Sequence, residues 1–118
     1  MPGSVLIVDP SAENREVLRT VLARRGLVIF EAEAAEAGIE LAREHHPDVI
    51  VLDVQAEEAD PAALRERFSA GSQDHPAELI VLGKIRRGPQ FAGGHVISKP
   101  YHFAPLVHTI QQLAAKAA

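Results

Sequence analysis

Two aspartates and a lysine each stand at the end of a short apolar run, where together they could bind a cation or a charged group. Asp9 follows VLIV, Asp53 follows VIVL and Lys99 follows HVIS. If the first two runs are neighbouring strands about 4.8 Å apart, their carboxylates repel each other by about 4 kcal/mol at an effective dielectric constant of roughly 20. Such a pair requires positive charge beside it, which Lys99 and a divalent cation could supply.

The apolar runs have the composition of buried strands. Val49–Leu52 is a run of four large aliphatic residues, three of them β-branched, and Pro47 excludes a helix that runs into them. Asp53 then lies where this strand leaves the core. Five strands are predicted, at residues 4–9, 27–31, 49–52, 78–83 and 95–98.

Segments with helical periodicity separate the strands. Ser11 is a candidate N-cap for the first helix, which Gly26 ends, and Pro47 ends the second. Asp60 followed by Pro61 is a candidate start for the third helix. The apolar residues predicted to face inward are Val17, Leu18, Val21 and Leu22 in the first helix, Ala35, Ile39 and Ala42 in the second, Leu64 and Phe68 in the third, and Leu106, Val107, Ile110 and Leu113 in the last.

This alternation predicts an α/β fold in which one parallel sheet carries helices on both faces. Such a doubly wound sheet places its site at the carboxyl ends of its strands. The residues at those ends are Asp9, Asp53, Gly83 and Lys99. With the strand order 2-1-3-4-5, Asp9 and Asp53 share one pocket. The segment from Lys84 to Gly94 is short and rich in Gly, so the helix between the fourth and fifth strands is predicted to be shortened or absent.

Composition and charge narrow the class of protein. The chain has 118 residues, 47% of them hydrophobic and 24% charged, which predicts a single globular domain over residues 1–118. A net charge of −4 with scattered Lys and Arg argues against nucleic acid as a direct ligand. The sequence has no cysteine, no apolar run of the ~18 residues that a membrane span needs, and no signal-peptide pattern in MPGSVLIVD. We therefore expect a cytoplasmic protein that does not bind membranes.

These motifs resemble the receiver domain of bacterial two-component response regulators. The resemblance rests on Asp9 after VLIV, Asp53 after DVIVL and Lys99-Pro100 after HVIS, in this order and on the corresponding strands. It covers nearly the whole chain. It implies a single flavodoxin-like domain with five parallel strands in the order 2-1-3-4-5.

The resemblance also implies roles for these residues. Asp53 would accept a phosphoryl group from a sensor histidine kinase or a phosphotransfer protein, since a carboxylate is a competent phosphoryl nucleophile. Lys99 would neutralise the phosphoryl oxygens. Asp9, Asp53 and the backbone carbonyl of Gln55 would bind Mg²⁺. Phosphorylation would then modulate the interaction with an unknown output protein or domain, and the chain would not be a turnover enzyme.

Three positions depart from the family pattern. Pro10 replaces a second acidic residue that binds Mg²⁺ directly in the family, so Mg²⁺ binding is predicted to be weak. Gly83 replaces the Ser or Thr that hydrogen-bonds the phosphoryl group, and Val96 replaces the aromatic residue that rotates inward in response. The resemblance is therefore to an atypical receiver.

Other interpretations stay open at the level of the sequence. The same departures favour a pseudo-receiver that binds partners without phosphorylation, whereas Asp53 and Lys99 favour a phosphoacceptor. A small doubly wound phosphatase is a distant alternative, because the sequence contains no GxxxxGK[ST], GxGxxG or DxDx[TV] motif. Asp53 could simply end a strand and Asp9 could cap the following helix. The oligomeric state, including a homodimer, is open.

Overall fold

The structure is a computed structural model, and it describes residues 3–53, 63, 66–68, 77–83, 94–97 and 102–117. In chain order the elements are β1 (Ser4–Val8), α1 (Ala12–Arg24), β2 (Val28–Ala32), α2 (Ala35–His45), β3 (Val49–Asp53), β4 (Glu78–Leu82), β5 (Gly94–Ile97) and α3 (Phe103–Ala117). Residues 63 and 66–68 are also helical. Within these ranges, no helix is long and apolar enough to cross a membrane.

The five strands form one parallel sheet in the order β2-β1-β3-β4-β5, which confirms the predicted fold class. Val8 lies opposite Leu52 in the β1–β3 pair, and Asp53 lies opposite Leu82 in the β3–β4 pair. β1 and β3 therefore end side by side at the same edge. The predicted shortening of the helix before β5 concerns residues 84–93, which lie outside the described residues.

The sheet is covered on both faces by separate apolar layers. β3 is buried along its whole length, as its continuous aliphatic run predicts. One layer joins the sheet to α1 and α3 and contains Val5, Ile7, Leu18, Leu22, Val49, Val51, Ile80, Leu82, Leu106, Val107, Ile110 and Ala114. The other joins it to α2 and the helical residues 66–68 and contains Leu6, Val8, Ala32, Ala42, Ile50, Leu52, Phe68, Leu79 and Val81.

The turn after α1 moves the start of β2 by one residue from its predicted position. Gly26 has a φ of 85°, and the backbone N–H of Leu27 donates to Leu22 O at 3.3 Å, so Leu27 still belongs to the end of the helix. The next N–H, that of Val28, donates to Gly3 O at 2.9 Å and begins the pairing with β1. Leu27 is therefore apolar because it packs at the end of the helix, and not because it is part of the strand that follows.

The prediction that Val17 faces the core is wrong. Its side chain is 53% exposed, whereas Leu18 and Leu22 are buried and Val21 is half-buried. The buried stripe of α1 is narrow because only the i, i+4 pair reaches the sheet. Val17 instead lies at the rim of a cavity described below.

Gly38 allows α2 to approach the sheet closely. A Cβ atom added there would lie 2.7 Å from Val8 Cγ2 and 3.2 Å from Phe68 Cε1. We expect Gly38→Ala to lower the free energy of unfolding by roughly 1–3 kcal/mol, because overpacking outweighs the better helix propensity of alanine. Urea denaturation would measure this, with Ala37→Gly as the control for propensity at an exposed neighbour. A gain in stability for Gly38→Ala would contradict the expected overpacking.

The amino ends of the strands are tied together at the opposite edge of the sheet. Asp48 Oδ2 accepts a hydrogen bond from the backbone N–H of Ser4 at 2.9 Å, and Asp48 N–H donates to Ser4 O at 3.0 Å. Gly3 lies against α3, where an added Cβ would be 2.9 Å from Ala114 Cβ. The starts of β1 and β3 and the last turns of α3 therefore meet at this edge.

Candidate functional site

Asp9 is the first residue after β1 and is only 5% exposed. Its backbone N–H donates to Ala32 O at 3.0 Å, which extends the pairing with β2. Its Oδ1 accepts a hydrogen bond from the backbone N–H of Ser11 at 2.8 Å. Ser11 is the N-cap of α1, and its Oγ accepts from the N–H of Asn14 at 3.3 Å. Asp9 therefore orients the cap residue but is not itself the cap.

Asp53 is the last residue of β3 and is 8% exposed. Among the residues that the structure describes, Asp9 and Asp53 are the only buried charged side chains. They are close enough for their carboxyl groups to interact directly. The predicted shared pocket is thus present at the carboxyl ends of β1 and β3.

A cavity of about 110 Å³ opens at this edge of the sheet. Asp9 and Asp53 line it together with the side chain of Asn14, and two exposed apolar side chains, Val17 and Phe103, lie at its rim. The remaining lining residues are Ile7, Val8, Leu18, Val51 and Leu82. The acidic pair therefore faces a small, largely apolar space, in which a charge interacts more strongly than in water.

The protonation of Asp9 reflects this environment. Burial raises the pKa of the Asp9 carboxyl above its ordinary value of 3.8, although the hydrogen bond from Ser11 opposes the rise. The negative charge of Asp53 raises the pKa of Asp9 further, and the Asn14 side-chain amide lowers it. Ionisation of Asp9 is therefore less favourable in the folded domain than in the unfolded chain.

Asp9→Asn is expected to stabilise the domain at about pH 7, because it removes the cost of burying the Asp9 charge and the repulsion from Asp53, while an amide oxygen can still accept from Ser11. A folded-state pKa above the unfolded one means that ionised Asp9 costs stability at high pH. As pH falls through the raised pKa toward 3.8, Asp9 becomes protonated and no longer destabilises the wild type. The stability gained by Asp9→Asn should therefore vanish by about pH 3.5. Urea unfolding at both pH values would measure it, with Glu16→Gln as an exposed control. An equal gain at both would contradict the prediction.

The structure describes some of the residues of the predicted site and not others. Gly83 follows β4 at the same edge, is buried, and donates its N–H to Ile97 O at 3.1 Å. Pro10 is exposed, and Val96 lies within β5 opposite Val81. Lys99 and Gln55 lie outside the described residues, so their predicted roles stay predictions.

Asn14 was missed by the analysis of the sequence. It is the third residue of α1, and its side chain lines the cavity together with Asp9 and Asp53. Side chains in a helix lean toward its N-terminus, which here brings Asn14 back to the strand end. The signal was the spacing from Ser11, because an N-cap fixes which residues of the first turn face the preceding strand.

The side chains of the cavity fit a hard cation. Mg²⁺ prefers oxygen ligands and is commonly held by one or two carboxylates while it keeps several waters, and Asp9 and Asp53 supply two carboxylates. No group of three His, Cys, Asp or Glu side chains that could hold a metal occurs in the described part of the chain. This set predicts a weak Mg²⁺ site.

Comparison with known protein families shows which family the chain belongs to. The model of the response regulator receiver domain family matches residues 5–111. The chain belongs to this family. The receiver domain is also similar to the polar-differentiation response regulator DivK of Brucella ovis, with 34% identity over 123 residues that cover 99% of this chain and 100% of DivK. DivK of Brucella anthropi has the same identity and coverage.

Solved structures agree on the fold of this receiver domain. The receiver domain of the hybrid histidine kinase CckA is 22% identical, with a TM-score of 0.73, and covers 95% of this chain and 99% of its own. A CheY-like receiver domain protein from Methanospirillum hungatei is 21% identical, with a TM-score of 0.74, over 98% and 96% of the two chains. The chain is therefore a receiver domain of a two-component response regulator with a flavodoxin-like fold.

Proposed function

We propose that this receiver domain accepts a phosphoryl group on Asp53 and that the phosphorylated form modulates binding to an output protein or domain. The observation that carries the proposal is the pair of buried carboxylates, Asp9 and Asp53, in one cavity at the carboxyl ends of β1 and β3. Two carboxylates buried side by side cost stability, so their presence points to a function, and phosphoryl transfer to a carboxylate is such a function.

In this proposal Asp53 is the nucleophile. One carboxylate oxygen attacks the phosphorus of a phosphohistidine on a sensor histidine kinase or phosphotransfer protein. The phosphorus–nitrogen bond breaks, and its electron pair returns to the imidazole, which takes up a proton. Asp9 and Asp53 would hold Mg²⁺, which offsets charge on the transferring oxygens, and Lys99 would neutralise them further. We further propose that the domain works in the cytoplasm, without enzymatic turnover and without direct contact with nucleic acid or membrane.

Intact mass spectrometry after incubation with acetyl phosphate and Mg²⁺ tests the proposal. A phosphoacceptor gains one phosphoryl group, and peptide mapping should locate it on Asp53. A pseudo-receiver gains none, and two observations favour that second candidate: the exposed Pro10 offers no carboxylate to the metal, and Gly83 offers no hydroxyl to the phosphoryl group. The absence of any mass gain would therefore replace the first candidate with the second.

Gly83→Thr is expected to raise the phosphorylated fraction at a fixed concentration of acetyl phosphate. A threonine hydroxyl can donate to the phosphoryl oxygens, and hydrogen bonds to charged groups contribute about 1.5–3 kcal/mol. Intact mass at steady state measures the fraction. Gly83→Val is the matched control, because valine has the shape of threonine but no hydroxyl. Equal fractions in the two variants would count against a phosphoryl group beside residue 83.

A further inference from the structure

Asn14 supports one inference that rests on the proposed function of the same cavity and extends it. We propose that Asn14 is a positioning residue, whose side-chain amide holds the Asp9 carboxylate for cation binding where Pro10 supplies no second carboxylate. Asn14 lines the cavity with Asp9 and Asp53. No motif of the sequence had singled it out.

The first turn of α1 fixes the position of Asn14. The backbone N–H of Asn14 donates to Ser11 Oγ at 3.3 Å, and the N–H of Ser11 donates to Asp9 Oδ1 at 2.8 Å. Asp9, the N-cap and Asn14 are thus joined in a short chain of hydrogen bonds. The Asn14 side chain lines the same cavity as the Asp9 carboxylate, so this chain of hydrogen bonds both begins and ends beside the acidic pair.

The residue after Asn14 anchors the same turn to the edge of the sheet. Arg15 Nη1 lies 3.8 Å from Glu31 Oε1, and Arg19 Nη1 lies 3.3 Å from Glu31 Oε2. Both arginines belong to α1 and Glu31 belongs to β2, so the helix is tied to the strand next to β1. Asn14 is therefore held from two sides, which suits a residue that must orient another.

The chemistry of an amide suits this place. Its N–H groups donate to a carboxylate and so stabilise the ionised form that a cation needs. Unlike a third carboxylate, it adds no negative charge to a cavity that already holds two. Partners that orient a metal ligand commonly contribute a factor of about ten to 100 in metal affinity. We expect Asn14 to contribute at the lower end of this range.

Mg²⁺ titration followed by NMR tests the proposal. Asn14 is the only asparagine in the chain, so labelling with ¹⁵N-asparagine gives a single side-chain amide pair. In the wild type this pair and the backbone amide of Asp53 should shift together as Mg²⁺ is added. Asn14→Leu should weaken Mg²⁺ binding about ten-fold. Gln112→Leu, which removes an exposed amide on α3, is the matched control and should bind Mg²⁺ like the wild type.

Two further variants keep the test decisive. Asn14→Ala suits a helix and replaces Asn14→Leu if the leucine does not fold, and Asn14→Gln should restore part of the affinity because it keeps the amide. Wild-type affinity in Asn14→Leu and Asn14→Ala would overturn the role of Asn14. So would side-chain signals that stay in place while Asp53 responds. No Mg²⁺ response in the wild type would also overturn it, whereas phosphorylation by acetyl phosphate would separately show whether Asp53 still functions.

Discussion

Asp53→Asn is expected to gain no phosphoryl group from acetyl phosphate, whereas Asp9→Asn should gain one at a reduced rate. The asparagine amide at position 53 is not a phosphoryl nucleophile, so the bond to phosphorus cannot form. Asp9→Asn keeps the nucleophile and removes one of the two carboxylates of the cavity. We expect it to slow phosphorylation at least ten-fold, which corresponds to about 1.4 kcal/mol in the barrier. Intact mass recorded against time measures both variants.

The two variants control for each other. Each replaces one buried carboxylate of the same cavity by its isosteric amide, so a general effect on packing or on charge should appear in both. Only the identity of the acceptor separates them. A full phosphoryl gain in Asp53→Asn would place the acceptor on another residue. If neither variant were phosphorylated, the experiment would not distinguish Asp53 from Asp9 as the acceptor.

Pro10→Asp is expected to tighten Mg²⁺ binding by about ten-fold, or about 1.4 kcal/mol. Position 10 is exposed and lies between Asp9 and the N-cap Ser11, beside the cavity. A third carboxylate there raises the number of anionic oxygen ligands, which is the main determinant of affinity for hard cations. Calorimetry or NMR titration in parallel with the wild type measures the change. Because a direct carboxylate ligand at position 10 makes binding depend less on how Asp9 is oriented, the cost of Asn14→Leu should also be smaller in this background.

Pro10→Ser serves as the control for the loss of the proline ring without a new charge. It should bind Mg²⁺ like the wild type. Equal affinity in the wild type and Pro10→Asp would mean that another group already completes the site, and Glu13→Gln would then test the acidic residue in the first turn of α1.

The fold was predictable because its central strands, β1, β3 and β4, are buried on both faces. A run such as Val49–Leu52 is typical of a strand inside a covered parallel sheet, and an aspartate after it marks the end of that strand. Two such runs next to each other therefore place Asp9 and Asp53 together. The order of the strands was implied by the resemblance to the receiver family, and the structure has that order.

Three features of the structure could not be predicted from the pattern of apolar residues. All three depend on the residues at which α1 begins and ends. Leu27 looked like the start of a strand but closes the end of α1. Val17 looked inward-facing but is exposed at the rim of the cavity. Asn14 carries no motif but lines the cavity beside Asp9. Each depends on where α1 begins and ends to within one residue, and hydrogen bonds at the caps decide that.

The contact between Gly3 and α3 has a practical consequence for assays. Gly3 precedes β1 and Asp9 follows it, so about five residues at roughly 3.3 Å each separate this contact from the acidic cavity. Ala114 lies at the same remote edge. A fluorophore, an affinity tag or a tether to a sensor chip attached beside either residue would point away from an approaching phosphodonor. Immobilised and labelled forms of the domain can therefore be compared directly with the free domain in solution.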